Sequence, residues 1–148
     1  MQEKLTEADA KRSLREHVFE KARNAHLKFG FAIDAPTVLR IIDSRDVVRY
    51  PLGIRFDAGP LQTGEFACLE ALGDHPSRGF CLFVHPCFEK RAEVLPLIVA
   101  YYIPSVNYGE IVSSEEAELF GATLLGMDVE QYYQALCDLA DSVPGKGV

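Results

Sequence analysis

The chain has 148 residues, 48% hydrophobic and 25% charged, with a formal net charge of −7. These proportions exclude a disordered or collagen-like chain, and the length suits one domain that buries ~68–70% of its unfolded surface. The charge is unevenly placed: residues 1–91 hold 14 Lys/Arg against 13 Asp/Glu, whereas residues 92–145 hold nine Asp/Glu and no Lys or Arg.

An acidic C-terminal third repels nucleic acid and anionic headgroups and favours a basic partner, a metal cation or the basic face of another element of the same fold. The first dozen residues, MQEKLTEADAKR, are charged and lack the apolar core of a secretory signal. The longest nearly uninterrupted apolar run, Val94–Ile103, is about half of what a bilayer crossing needs and contains Pro96. The expectation is a soluble cytoplasmic protein with no membrane or nucleic-acid partner. Residues 1–148 would form a single globular domain, frayed at 1–5 and 143–148. Cys68, Cys81, Cys87 and Cys137 include no CxxC pair, so they read as reduced thiols.

In chain order, Thr6 with Glu7 and Asp9 marks a helix start. Leu14, Val18, Ala22, Ala25 and Phe29 then give a long amphipathic helix that Gly30 ends. Asp34-Ala-Pro-Thr caps a short second helix carrying Val38, Leu39, Ile41 and Ile42, and Phe31-Ala-Ile before it reads as extended. From Val48 to Phe56, apolar residues alternate with Arg49, Pro51, Gly53 and Arg55, which predicts a strand with one wet, arginine-bearing face. Pro51 places that strand at an edge or at a bulge.

Glu65–Leu72 fits a helix by composition and a hairpin arm by position, and the strand is preferred. Phe80–His85, within the densely apolar GFCLFVHPC, is the second arm, with Cys81, Phe83 and His85 on one face and Phe80, Leu82 and Val84 on the other. CFEKRAEV reads as one or two helical turns. Pro96 then opens LIVAYYI, read as a buried central strand that ends at Pro104; a single helix from Phe88 to Tyr102 is the rival, disfavoured by an interior proline. Ser105–Gly109 reads as a loop. Ser113 or Ser114 caps a helix reaching Leu125, and Asp128 caps a last one on Val129, Tyr132, Tyr133, Leu136 and Leu139. The fold class is α+β: an antiparallel sheet of about three to four strands, covered by the long N-terminal helix and a C-terminal helical pair.

No motif in the chain names a reaction, but four groups of residues carry chemistry. Cys81, His85 and Cys87 have ligand types suited to zinc. Cys81 and His85, however, lie roughly 13 Å apart along a straight strand, so the plain alternative is core thiols. Cys87 beside His85 also resembles a nucleophile with its base, without a glycine-rich oxyanion loop to accompany it. Arg49 and Arg55 could grip a carboxylate or phosphate, or simply be solvated. Glu115, Glu116, Glu118, Tyr132 and Tyr133 form an acidic, tyrosine-bearing helical face of the kind found at interfaces. The preferred reading is a non-enzymatic binding or adaptor domain without a cofactor. It would dock a protein with a basic surface, with a homodimer as one form of assembly. The alternative is a small metal-binding or thiol-dependent enzyme using Cys81, His85 and Cys87.

Overall fold

The computed structural model describes residues 6–144. The expected fraying at 1–5 and 145–148 lies outside the described residues, while Val143 is buried against the core. None of the helices described is long and apolar enough to cross a membrane.

Helix α1 (Glu7–Phe29) begins with a capping box: Thr6 Oγ1 accepts from the Asp9 N–H at 3.0 Å and the Asp9 carboxylate accepts from the Thr6 N–H at 3.3 Å. Its buried stripe is narrow, Val18, Ala22 and Ala25, and packs against α4 (Ser114–Leu125). Small side chains let the two backbones approach. Helix α2 (Ala35–Ile42) starts at Asp34, whose Oδ1 accepts from the Thr37 hydroxyl at 2.6 Å and the Thr37 N–H at 2.9 Å. Those two bonds hold the Asp34 carboxyl below its usual range.

The sheet has three strands, β1 (Leu52–Phe56), β2 (Ala67–Ala71) and β3 (Phe80–Val84), in the order β1-β3-β2. The hairpin β2–β3 is antiparallel, with Leu69 opposite Leu82, as its turn-rich connection predicts. The pair β1–β3 is parallel, with Leu52 opposite Phe80 and Phe56 opposite Val84. The sheet is therefore mixed, which corrects the expected all-antiparallel arrangement. Phe56 and Ala67 both align with Val84, so residues 57–66 stay at one end of the sheet. The chain turns back in β2 and returns between the first two strands. Alternation reports which face is buried and is blind to direction.

At the start of β3, Gly79 has φ +90°, and a Cβ there would meet the Pro51 carbonyl oxygen at 3.0 Å. Glycine alone fits both conditions.

Strand β1 is an edge, one of the two arrangements that Pro51 allowed, but starts later than its pattern suggests. Val47 and Val48 are both buried, and their N–H groups donate to the Ser44 carbonyl at 3.0 and 2.8 Å. The carbonyl of Val47 and the N–H of Arg49 are taken by Asn107. With those groups engaged, bonding to β3 begins only at Pro51, whose carbonyl accepts from the Phe80 N–H at 2.8 Å.

The largest correction concerns residues 95–108. The run expected to be a central strand followed by a loop is one helix, α3 (Leu95–Tyr108). Pro96 lies in its first turn, where a missing N–H breaks no helical bond. Pro104 is inside the helix and forfeits a bond at a cost of about 3 kcal/mol. Burial offsets that cost: Ile98, Val99, Ala100, Ile103 and Val106 are all in the core. Helix α3 packs against α2, α4, α5 (Val129–Asp141) and β3. Being covered on most sides, it shows no amphipathic stripe, and an apolar run of that kind reads equally well as a buried strand. The residues expected as helical turns after Phe88 form short 3₁₀ turns, Pro86–Phe88 and Ala92–Val94.

One core cluster joins the helices to Leu52, Ala67, Leu82 and Val84 of the sheet; Cys68, Cys81 and Phe83, from the alternate register, lie outside it.

Candidate functional site

Helix α3 carries two adjacent tyrosines, Tyr101 and Tyr102, in the middle of its apolar run. Their rings meet edge-on with centroids 5.2 Å apart. The Tyr102 hydroxyl donates to the Ala67 carbonyl at 2.9 Å, and the Tyr132 hydroxyl donates to the Leu97 carbonyl at 2.6 Å. These bonds tie α3 to β2 and to α5. Burial raises both phenols well above their usual range, so both stay protonated and can donate these bonds at neutral pH.

Beside this junction lies a cleft of about 290 Å³ between α3, α4, α5 and residues 64–67. Its walls include Phe66, Tyr101, Tyr133 and Leu136, and its charged groups are Glu65 and Glu118. Glu65 accepts from the Gln62 N–H at 2.7 Å. Glu118 makes no ion pair or hydrogen bond among the described residues, and neither does the Tyr101 hydroxyl. Partial burial, and secondarily the nearby Glu115 charge, hold the Glu118 carboxyl above its usual range. Both causes mark a carboxylate that lacks a cation. Tyr133 is 52% exposed at the rim, and the neighbouring Cys137, as a hydrogen-bonding group and by the charge its thiolate would carry, raises the Tyr133 phenol.

The acidic face expected from sequence is thus divided. Glu118 and Tyr133 share the cleft. Glu115 is exposed and lies 3.9 Å from Lys11 of α1. Glu116 is 3% exposed and accepts from the Ser113 N–H and hydroxyl at 3.2 and 2.8 Å, so it caps α4. Tyr132 is wholly buried. Glu116 and Tyr132 therefore hold the fold together and present nothing to a partner. Helix periodicity placed Tyr132 and Tyr133 together, although adjacent helix residues point about 100° apart.

The other candidates separate. The Arg49 guanidinium is exposed beside its neighbour Tyr50, 5.4 Å from the ring, while the backbone N–H of Arg49 donates to Asn107 Oδ1. Arg55 projects from β1 into a groove it shares with Arg45, Cys81 and Phe83. Cys81, His85 and Cys87 do not assemble: among the described residues no three His, Cys, Asp or Glu are placed to hold a metal ion. His85 Nδ1 accepts from the Cys87 N–H at 3.0 Å and caps the 3₁₀ turn there. Burial raises the Cys87 and Cys81 thiols despite the opposing Arg91 and Arg55 charges, which lowers their thiolate content.

Cys81 is a free thiol, 6% exposed. In native protein at pH 7.5 it should react with a disulfide reagent at least ~10-fold more slowly than in urea-unfolded chain. Equal rates, followed by mass mapping of Cys81, would contradict its burial.

Sequence reasoning did not single out Glu65, Phe66 or Cys137 for the cleft, since they come together only through α3. The adjacent Tyr101 and Tyr102 in an apolar run were the available signal. No family model matches the chain, and no curated protein or solved structure shows significant similarity to it.

Proposed function

We propose that the protein is a non-enzymatic binding module that docks a basic segment of a protein partner across α4 and α5. The cleft carries this reading: it combines aromatic walls with an unpaired, half-buried carboxylate, Glu118, in a part of the chain without Lys or Arg. A cation entering it gains more than one at an open surface, because the surroundings are partly desolvated. Charge outside the cleft, with Glu115 nearest, steers approach.

The test uses a labelled ten-residue peptide of alternating Lys/Arg and Ser. Its association rate should fall by ~10-fold or more between 50 and 500 mM salt. Replacing Glu115 and Glu118 together by Lys should slow association comparably and lower the unfolding midpoint by no more than about 5 °C, through loss of the exposed Lys11 contact and of an acid in the first turn of α4. Glu116 is kept, because its substitution would break the cap. An unchanged rate in the double variant would remove the docking reading.

A further inference from the structure

We propose that the cleft is a receptacle for a single arginine side chain of the docked segment, with Glu118 as its counter-ion and Tyr101 and Tyr133 as its aromatic walls. This rests on the docking reading above and adds the identity of the anchoring residue.

Size comes first. At about 290 Å³ the cleft is at or below the lower end of small-molecule sites, ~300–1,000 Å³, so it suits one side chain better than a cofactor. Charge comes second. The cleft lining contains two carboxylates and no basic residue, which excludes phosphate and carboxylate ligands. Of the two carboxylates, Glu65 is engaged by Gln62, and Glu118 is the one without a partner.

The choice of arginine over lysine follows from shape and hydration. The flat guanidinium stacks on tyrosine faces while giving paired N–H donors to a carboxylate, and it is less strongly hydrated than an ammonium group. The Tyr101 hydroxyl, without a partner among the described residues, adds an acceptor on the same wall. Phe66 and Leu136 flank the path of the aliphatic stem. Tyr133, exposed at the rim, can close over the entering group by giving up its contact with Cys137, whereas Tyr102 and Tyr132 are locked by their carbonyl bonds.

Three peptides differing at one central position, arginine, lysine or citrulline, with neutral flanks, would be titrated into the full chain. Binding would be followed by the ring-proton signals of Tyr101 and Tyr133. The arginine peptide should shift both signals and bind ~3–10-fold more tightly than the lysine peptide; citrulline should not saturate. Glu118→Gln should weaken arginine binding by ~10-fold at an unchanged unfolding midpoint. Tyr101→Phe, which keeps the aromatic face, should retain most of the affinity.

Equal binding of arginine and lysine would overturn the arginine assignment and leave basic docking intact. Binding without movement of the tyrosine signals would overturn the cleft as its place. If the charged ten-residue peptide also failed to bind, the docking reading would fall with it.

Discussion

Gly121→Ala is expected to destabilise the protein even though alanine is the better helix former. Gly121 is buried in the middle of α4, and a Cβ there would overlap the end of the Tyr132 ring. A ring tip can often swing aside. Here it is wholly buried and its hydroxyl is bonded to the Leu97 carbonyl at 2.6 Å, so relief requires breaking that bond or separating α4 from α5. Overpacking costs about 1–3 kcal/mol and the lost hydrogen bond about 1 kcal/mol, against a helix-propensity gain of about 1 kcal/mol. The net loss should be about 1–3 kcal/mol, a fall of roughly 3–10 °C in the unfolding midpoint for a chain of this size. Gly121→Val adds a second methyl group and β-branching and should cost more. Because a larger residue at 121 would push α4 from α5, and these helices carry Glu118 and Tyr133, Gly121→Ala should also weaken arginine binding. A double-mutant cycle with Tyr132→Leu checks the cause. If the two losses simply add, the ring is not what the alanine strikes.

Asn107→Ala should lose more. Asn107 is 6% exposed, and its amide bridges two backbone groups ahead of β1: Nδ2 donates to the Val47 carbonyl and Oδ1 accepts from the Arg49 N–H, both at 2.7 Å. Alanine leaves a buried carbonyl and a neighbouring N–H unpaired, each costing about 1–3 kcal/mol. A total of about 3–5 kcal/mol is expected in denaturant unfolding, with amide exchange accelerated from Val47 to Leu52.

Asn107→Asp separates the two bonds. An ionised carboxylate still accepts from Arg49 but repels the Val47 carbonyl, whereas the protonated acid can satisfy both. The variant's carboxyl should therefore have a folded pKa above its unfolded one. By linkage, this variant regains stability as pH falls through the folded pKa and loses it as pH rises. A loss for Asn107→Asp that is the same at pH 4 and pH 7 would show that the bridge does not depend on donation to Val47.

Both sites show how far local reading reaches. The capping signals at Thr6, Asp34 and Asp128 are written in adjacent residues, and each is found at the start of its helix. The edge position of β1 was one of the two arrangements that Pro51 allowed, and the β2–β3 hairpin followed from the turn residues before Gly79. The acidic bias of the C-terminal third needs no fold to be seen. In each case the controlling interaction spans few residues, so propensity and pattern contain it.

Asn107 and Gly121 carry no comparable signal. The first reads as a loop residue and the second as a weak point in a helix, until α3 is known to be a helix and Tyr132 to point inward. Helix α3 decides most of the remainder. Its side chains are apolar on nearly every side, so the sequence shows no period that would separate a buried helix from a buried strand. Once it folds as a helix, it brings Tyr101 and Tyr102 beside residues 64–67 and against α4 and α5, and the cleft exists only there.

Composition and local spacing determined the starts of α1, α2, α4 and α5, the strand faces and the sign of the charge. Tertiary packing decided the parallel pairing of β1 with β3 and the conversion of the 95–108 segment to helix. It also decided which acidic residues line the cleft: Glu116 was drawn into a cap and Glu118 left beside the tyrosines. The physical reason is that strand direction, burial on all sides and the pairing of a charge depend on groups distant in the chain, whose positions no local period encodes.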